Sequence, residues 1–383
     1  MKEILLLDMD NVLLSPLGYR RALQRAIAAV AGALGYQSPD FSDTAIEEIE
    51  AAGVTSEWEM AAITAAILMA DPAARYRPLP KKLTLELQDD SLRPPPPIGP
   101  VFKHLAKLNP DRTPLDRAKE IMSERTSDLP SNQRQAILHI LDTARTVDSV
   151  IFRTIQEFVL GSETYQSSYE ISSVFDIESY LHRYDQPSLA PEIAASLQRR
   201  ISMEGHAAAI FTNRPSTPPT GHKDTPEAEI GARLVGLEGV PIIGSGDLGW
   251  LALEKSVPSD TFLKPSPVHA LSALAAALGR PKAEAMMAAW DLASEAPEPD
   301  SFWRGLDTAQ VFVFEDSARG LRSGLSAVDS LKNIDVRINI ELIGISQHPA
   351  KRAELEAVGA RVYPDVNQAA QAEIPNLEAP IGR

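Results

Sequence analysis

The chain has no cysteine among its 383 residues, which excludes a disulfide scaffold, a thiolate metal site and a cysteine nucleophile together. Positive charge is scarce as well. Lysine and arginine number 37 against 52 aspartates and glutamates, a formal charge of -15 at pH 7. A generic binder of phosphate backbones needs a basic surface, and no local Lys/Arg cluster supplies one. Long apolar runs are missing too: no stretch reaches the roughly 18 residues of a membrane span. The N-terminus has neither a basic leader nor a long apolar segment. A soluble, cytoplasmic protein with no nucleic-acid and no membrane partner is the expectation.

What is present in quantity is length and proline. A chain of 383 residues exceeds one ordinary core, so two domains, or one domain with a large insertion, are expected. The run Leu92-Arg93-Pro94-Pro95-Pro96-Pro97-Ile98-Gly99-Pro100 excludes helix and central strand, because proline lacks the amide donor. It reads as a stiff connection, though the composition also suits a polyproline ligand. Leu23, Ile27, Val30 and Leu34 recur at helical spacing between Tyr19 and Tyr36. Ser56 followed by Glu59 predicts a capping box opening another helix through Ile63 and Ile67. Helical periodicity resumes over Leu115 to Ala144 and Val150 to Leu160, making 17–187 one mostly helical unit.

Beyond Pro187 short apolar runs alternate with helices, the pattern of a doubly wound parallel sheet. The predicted strands are Ala207 to Phe211, Val240 to Gly244, Val311 to Phe314, Ile340 to Ile345 and Ala360 to Tyr363. A helix over Ala190 to Ile201 is predicted to precede the first of them, and crossover helices are predicted over Pro267 to Leu278 and Ala350 to Val358. One further apolar run, Ile4 to Leu7, has no helical partner nearby and is expected to join this distant sheet. The predicted fold is therefore α/β, a Rossmann-like doubly wound core of residues 1–16 and 188–383. The helical unit 17–187 is inserted into it.

Ligands bind outside the carboxyl ends of parallel strands, so strand ends carry the functional signal. Asp8 and Asp10 end the first run, and residues two apart in a strand project to the same side, toward one substrate or one hard cation. The same residues also suit a simple turn. Thr212 and Asn213 end the second run, where a hydroxyl and amide donors can hold an anion. Lys264 is fixed before a helix start by Pro265 and Pro267. Glu315 and Asp316 end the strand from Val311, a costly juxtaposition unless something positive binds there. The seven histidines are scattered without metal-ligand spacing, with His206 and His269 closest to these segments.

These four segments, in this order, resemble the haloacid dehalogenase superfamily. Its phosphotransferases carry a strand ending in Asp-x-Asp, one ending in Thr/Ser, a lysine and an acidic strand end. Lys-Pro-x-Pro and Glu-Asp-Ser-x-x-Gly are similar to members with a helical cap after the first motif, the β-phosphoglucomutase-like and phosphoglycolate-phosphatase-like group. Two departures stand out. Asn11 replaces the usual glycine, although asparagine tolerates left-handed geometry. The cap is also enlarged, with roughly residues 70–145 extra, and a second insertion separates Leu278 from Gln310.

The resemblance implies a Mg²⁺-dependent phosphatase of a small phosphorylated metabolite, acting as a monomer or homodimer. Asp8 would be the nucleophile and Asp10 the acid/base. Thr212, Asn213 and Lys264 would bind the phosphoryl group. Mg²⁺ ligands would be the Asp8 carboxylate, the Asp10 backbone carbonyl, Glu315 and Asp316. Arg20, in the helical unit, is the candidate for choosing the leaving group, though its position also suits a solvated helix face. Asp10 favours phosphoryl transfer over halide displacement, because dehalogenase members lack that acid. A phosphomutase using the same residues and a catalytically silent binding module are the alternatives.

Overall fold

The computed structural model describes residues 2–71, 83, 92–109, 112–220, 224–294, 300–375 and 377. The chain divides into two compact units, one of residues 1–16 and 185–383, the other of residues 17–184.

The first unit is built on a six-stranded sheet. In chain order its strands are β1 (Glu3–Leu7), β4 (His206–Phe211), β5 (Ile242–Ile243), β6 (Gln310–Glu315), β7 (Asn339–Ile345) and β8 (Arg361–Tyr363). In space they lie β5-β4-β1-β6-β7-β8, and each neighbouring pair is parallel. A separate antiparallel pair, β2 (Leu14–Ser15) and β3 (Gln186–Pro187), stands where the chain leaves and re-enters this unit. That pairing is why Asp185 to Pro187 group with the sheet and not with the helices before them.

The helical unit contains α1 (Leu17–Ala33), α2 (Asp43–Ala51), α3 (Glu57–Ala70), α4 (Gly99–Leu105), α5 (Pro114–Arg125), α6 (Ser131–Asp142), α7 (Val150–Leu160), α8 (Ser162–Tyr169) and α9 (Tyr180–Tyr184). The capping box expected at α3 does not form, since the Ser56 side chain makes no capping bond. Glu59 is buried and turned toward Arg145, 2.9 Å away, so it does not reach back. Proline explains two further differences. Gly99 and Pro100 were expected in the stiff connection but open α4, because a first-turn proline lacks only an amide the helix leaves unused. The helix expected from Leu115 to Ala144 is two, since Pro130 caps α6 and separates it from α5. Of the enlarged segment 70–145, residues 72–82, 84–91 and 110–111 lie outside the described residues.

The α/β unit adds α10 (Pro191–Ile201), α11 (Glu227–Leu234), α12 (Ser245–Glu254), α13 (Pro267–Ala277), α14 (Lys282–Ala293), α15 (Ala318–Lys332), α16 (Pro349–Ala357) and α17 (Val366–Glu373). Period-two alternation sorts the strand side chains onto two faces. Ile4, Leu6, Phe211, Val311 and Val313 join a core with α12 to α16, whereas Leu5, Leu7, Ile210, Phe312 and Phe314 join one with α10, α11 and α17. Helices thus cover both faces, and the fold is a Rossmann-like α/β fold. The strand expected over Val240 to Gly244 shrinks to Ile242–Ile243, because Pro241 has no amide to donate to a ladder. The insertion after Leu278 folds as α14 and a 3-10 turn, Ser301–Leu306, whose Trp303 and Leu306 are buried in the first of these cores. Residues 295–299 of it lie outside the described residues.

Candidate active site at the carboxyl ends of the strands

By sequence rank the sheet order is third, second, first, fourth, fifth, sixth, so the winding direction reverses between β1 and β6. A crevice opens at such a reversal, outside the carboxyl ends of the strands, and ligands bind there. Leu7 is in register with both Ile210 and Phe314, and Asp8 N–H donates to the Phe314 carbonyl at 3.0 Å. Asp8, Thr212 and Glu315 are therefore carried to the same edge of the sheet by three neighbouring strands.

Four of the expected residues meet there directly. Asp8, Glu315 and Asp316 each offer a carboxylate oxygen within 4.8 Å of the others, and all three are buried. Lys264 Nζ, 4% exposed, donates to Asp8 Oδ1 at 2.6 Å and to Glu315 Oε1, and lies 3.9 Å from the Phe211 ring centroid. Burial, then the charge of Glu315, push the Asp8 carboxyl well above its usual range against the pull of Lys264. Burial likewise raises Asp316, opposed first by the ammonium of Lys351. Burial alone would lower Lys264, but Asp8 and Glu315 hold it above its ordinary value. Three buried carboxyl groups thus share a small volume with the amino groups of Lys264 and Lys351, and oxygen-only donors of this kind suit a hard divalent cation.

Asp10 is placed differently. Its side chain is about one-third exposed and Oδ1 accepts from Arg214 Nε at 2.7 Å. Thr212 is buried, and its hydroxyl accepts from the Arg214 amide at 3.2 Å, while Asn213 is exposed at the strand end. Arg20 belongs to the helical unit, on α1, where it ion-pairs with Glu50 at 3.3 Å. His269 is a core residue. Its Nε2 lies 3.0 Å from the Ile243 carbonyl, and burial, then Lys264, lower its pKa to about 3, so the ring is neutral.

Sequence reasoning missed Arg214, Asp185 and Lys351. Arg214 stands two residues after Thr212, but its role depends on Asp10 and Asp185, distant in sequence. Lys351, on α16, reaches Asp316 from 35 residues away and carries no local signal. The role of Asn11 also emerges only in three dimensions. It adopts the left-handed conformation, φ 59°, and its Nδ2 donates to Asp316 Oδ2 at 3.1 Å. Asparagine thus keeps the turn a glycine would make and adds a bond to the acid site.

Gly320 in the Glu-Asp-Ser-x-x-Gly segment has a steric reason. Ser317 caps α15 by accepting from the Gly320 amide and donates its hydroxyl to Glu315 at 2.8 Å, folding the helix start against that carboxylate. A Cβ on Gly320 would lie 1.7 Å from Glu315 Oε1 and 2.0 Å from its Cδ. Gly320→Ala is expected to displace Glu315 and cost about 1–3 kcal/mol of stability. Urea unfolding measures it, and a midpoint equal to wild type would contradict the packing described here.

No protein-family model and no curated protein matches the chain. An X-ray structure of a Northeast Structural Genomics Consortium target is similar in fold, with a TM-score of 0.59 and 18% identity, covering 99% of this chain and 100% of that one. No helix among the described residues is long and apolar enough to cross a membrane.

Proposed function

We propose that the chain is a phosphatase of the haloacid dehalogenase type, hydrolysing a small phosphomonoester through an aspartyl-phosphate on Asp8. The observation that carries this reading is the buried cluster of Asp8, Glu315 and Asp316 around Lys264, at the winding reversal of the sheet. A scaffold has no use for three acids whose burial costs stability, which argues against a silent binding module.

In the first step an Asp8 oxygen forms a bond to phosphorus as the bond to the ester oxygen breaks, and that oxygen takes a proton from Asp10. In the second step water attacks the same phosphorus, Asp10 accepts its proton, and the Asp8–phosphorus bond breaks to release inorganic phosphate. Lys264 fixes the attacking carboxylate by its 2.6 Å bond and balances negative charge. Thr212 and the exposed Asn213 would hold phosphoryl oxygens at the strand end, where charge spreads in the transition state. Asp8, Glu315, Asp316 and the Asp10 carbonyl would hold Mg²⁺, which when bound neutralises the phosphoryl oxygens and keeps Asp8 ionised despite its burial.

The test is a panel of sugar phosphates, nucleotides and phosphoglycolate assayed with and without Mg²⁺. Metal-dependent phosphate release is expected, and its absence across the panel would overturn the reading. Cation binding has a second readout. Because the raised carboxyls favour the fold only below their unfolded pKa of about 3.9 and penalise it as pH rises through their folded values, Mg²⁺ should relieve more at about pH 8 than at about pH 5. At 100 times its dissociation constant the gain is about 2.7 kcal/mol, read as a thermal shift. Asp316→Asn should abolish most of it; an undiminished shift would place the cation elsewhere.

A further inference from the structure

We propose that Arg214 is the positioning residue for the acid/base Asp10, and that Asp185 completes the device from behind. Its planar guanidinium bonds two carboxylates at once: Nε and Nη2 approach Asp10 Oδ1 at 2.7 and 2.6 Å, and Nη2 donates to Asp185 Oδ2 at 2.9 Å. The Arg214 backbone is fixed as well, its amide on the Thr212 hydroxyl and its carbonyl accepting from Ser245 N–H at 2.9 Å. Exposure distinguishes the three side chains. Arg214 is 1% and Asp185 0% exposed, so neither meets a substrate, whereas Asp10 is 32% exposed. The trio presents Asp10 alone to solvent. With Oδ1 oriented by the fork, Oδ2 is the oxygen that carries the proton to and from substrate. A guanidinium can keep both carboxylates in one plane; an ammonium has the charge without the fork. Asp185 is also the residue at which the chain re-enters the α/β unit, directly before β3, so one arginine ties Asp10, the phosphoryl-binding strand end and the returning chain together.

This rests on the phosphatase reading, and the experiment separates the two. Leaving-group dependence is the readout, because an aryl phosphate with a stabilised phenolate departs without an acid, whereas an alkyl phosphate requires one. The full-length wild type, Asp10→Asn, Arg214→Lys and Asp185→Asn are compared by kcat/KM on both substrates with Mg²⁺, because that constant reports the first step, in which the leaving group departs, and not the later hydrolysis of the aspartyl-phosphate that both substrates share. Arg214→Lys is expected to lose on the order of 10²-fold on the alkyl phosphate and less than about threefold on the aryl one, with Asp185→Asn smaller in the same direction. A variant that is merely less folded lowers both rates by the same factor, so the ratio is insensitive to stability. Equal losses on both substrates in Arg214→Lys and Asp185→Asn, with Asp10→Asn still selective, would overturn the role of Arg214 and leave the phosphatase reading standing. Equal losses in Asp10→Asn would overturn the acid/base reading itself, and this inference with it.

Discussion

Asp8→Asn is expected to lower phosphate release by a factor on the order of 10³ or more while the protein stays folded. The amide is nearly isosteric with the carboxylate, and its oxygen can still accept from Lys264, which also keeps its pairing with Glu315. Burial already disfavours the charge on Asp8, so removing that charge should change stability by no more than about 1 kcal/mol. In the proposed mechanism the substitution removes the nucleophile, since a neutral amide oxygen does not make a stable bond to phosphorus that water can later break. Stability by urea unfolding and phosphate release measured on the same preparations separate the two effects. Residual activity within tenfold of wild type would remove Asp8 from the chemistry.

Lys264→Met should do the opposite and damage the fold. Methionine matches the length of the stem, but it leaves Asp8 and Glu315 facing each other without the ammonium between them. Removing one partner of a buried ionic set costs about 3–5 kcal/mol, because the remaining charges stay uncompensated. The pH dependence follows from the direction of the shifts. Asp8, already raised, would rise further without Lys264, so its favourable contribution, full below its unfolded value of about 3.9, is lost as pH climbs through the folded one. Lys264 itself is raised in the wild type, so its own contribution persists through neutral pH and is lost only in strong alkali. In metal-free buffer the gap between wild type and variant should be small near about pH 4 and widest near about pH 8. Equal denaturation midpoints at the alkaline end would contradict the buried pairing.

Asp8 and Glu315 were legible in the sequence for a physical reason, whereas Lys264 stood out only through the family resemblance. An apolar run that ends abruptly in acids, as at Leu7-Asp8 and Phe314-Glu315, is a buried strand meeting a crevice, and little else produces the pattern twice. The sheet members and the helices α10, α13 and α16 could be read in the same way, from uninterrupted periodicity. What could not be read is tertiary. Glu59 has the spacing of a capping partner for Ser56, but it pairs with Arg145, 86 residues away, instead. Arg214 looks like any turn residue until Asp10 and Asp185 close around it, and Lys351 looks like any exposed helix lysine until it meets Asp316. Charged groups acquire their roles from partners far along the chain, and local pattern holds no record of those partners.

The phosphorylation of Asp8 is the central claim and can be observed directly. Asp10→Asn is mixed with an aryl phosphate and Mg²⁺, so that the first step proceeds without an acid while the second lacks its base. The reaction is quenched in acid, and the peptide containing Asp8 is weighed by mass spectrometry. The peptide is predicted to carry one phosphoryl group that hydroxylamine removes, and Asp8→Asn is predicted to carry none. Phosphate released by the wild type with no phosphoryl group found on Asp8 would contradict the account.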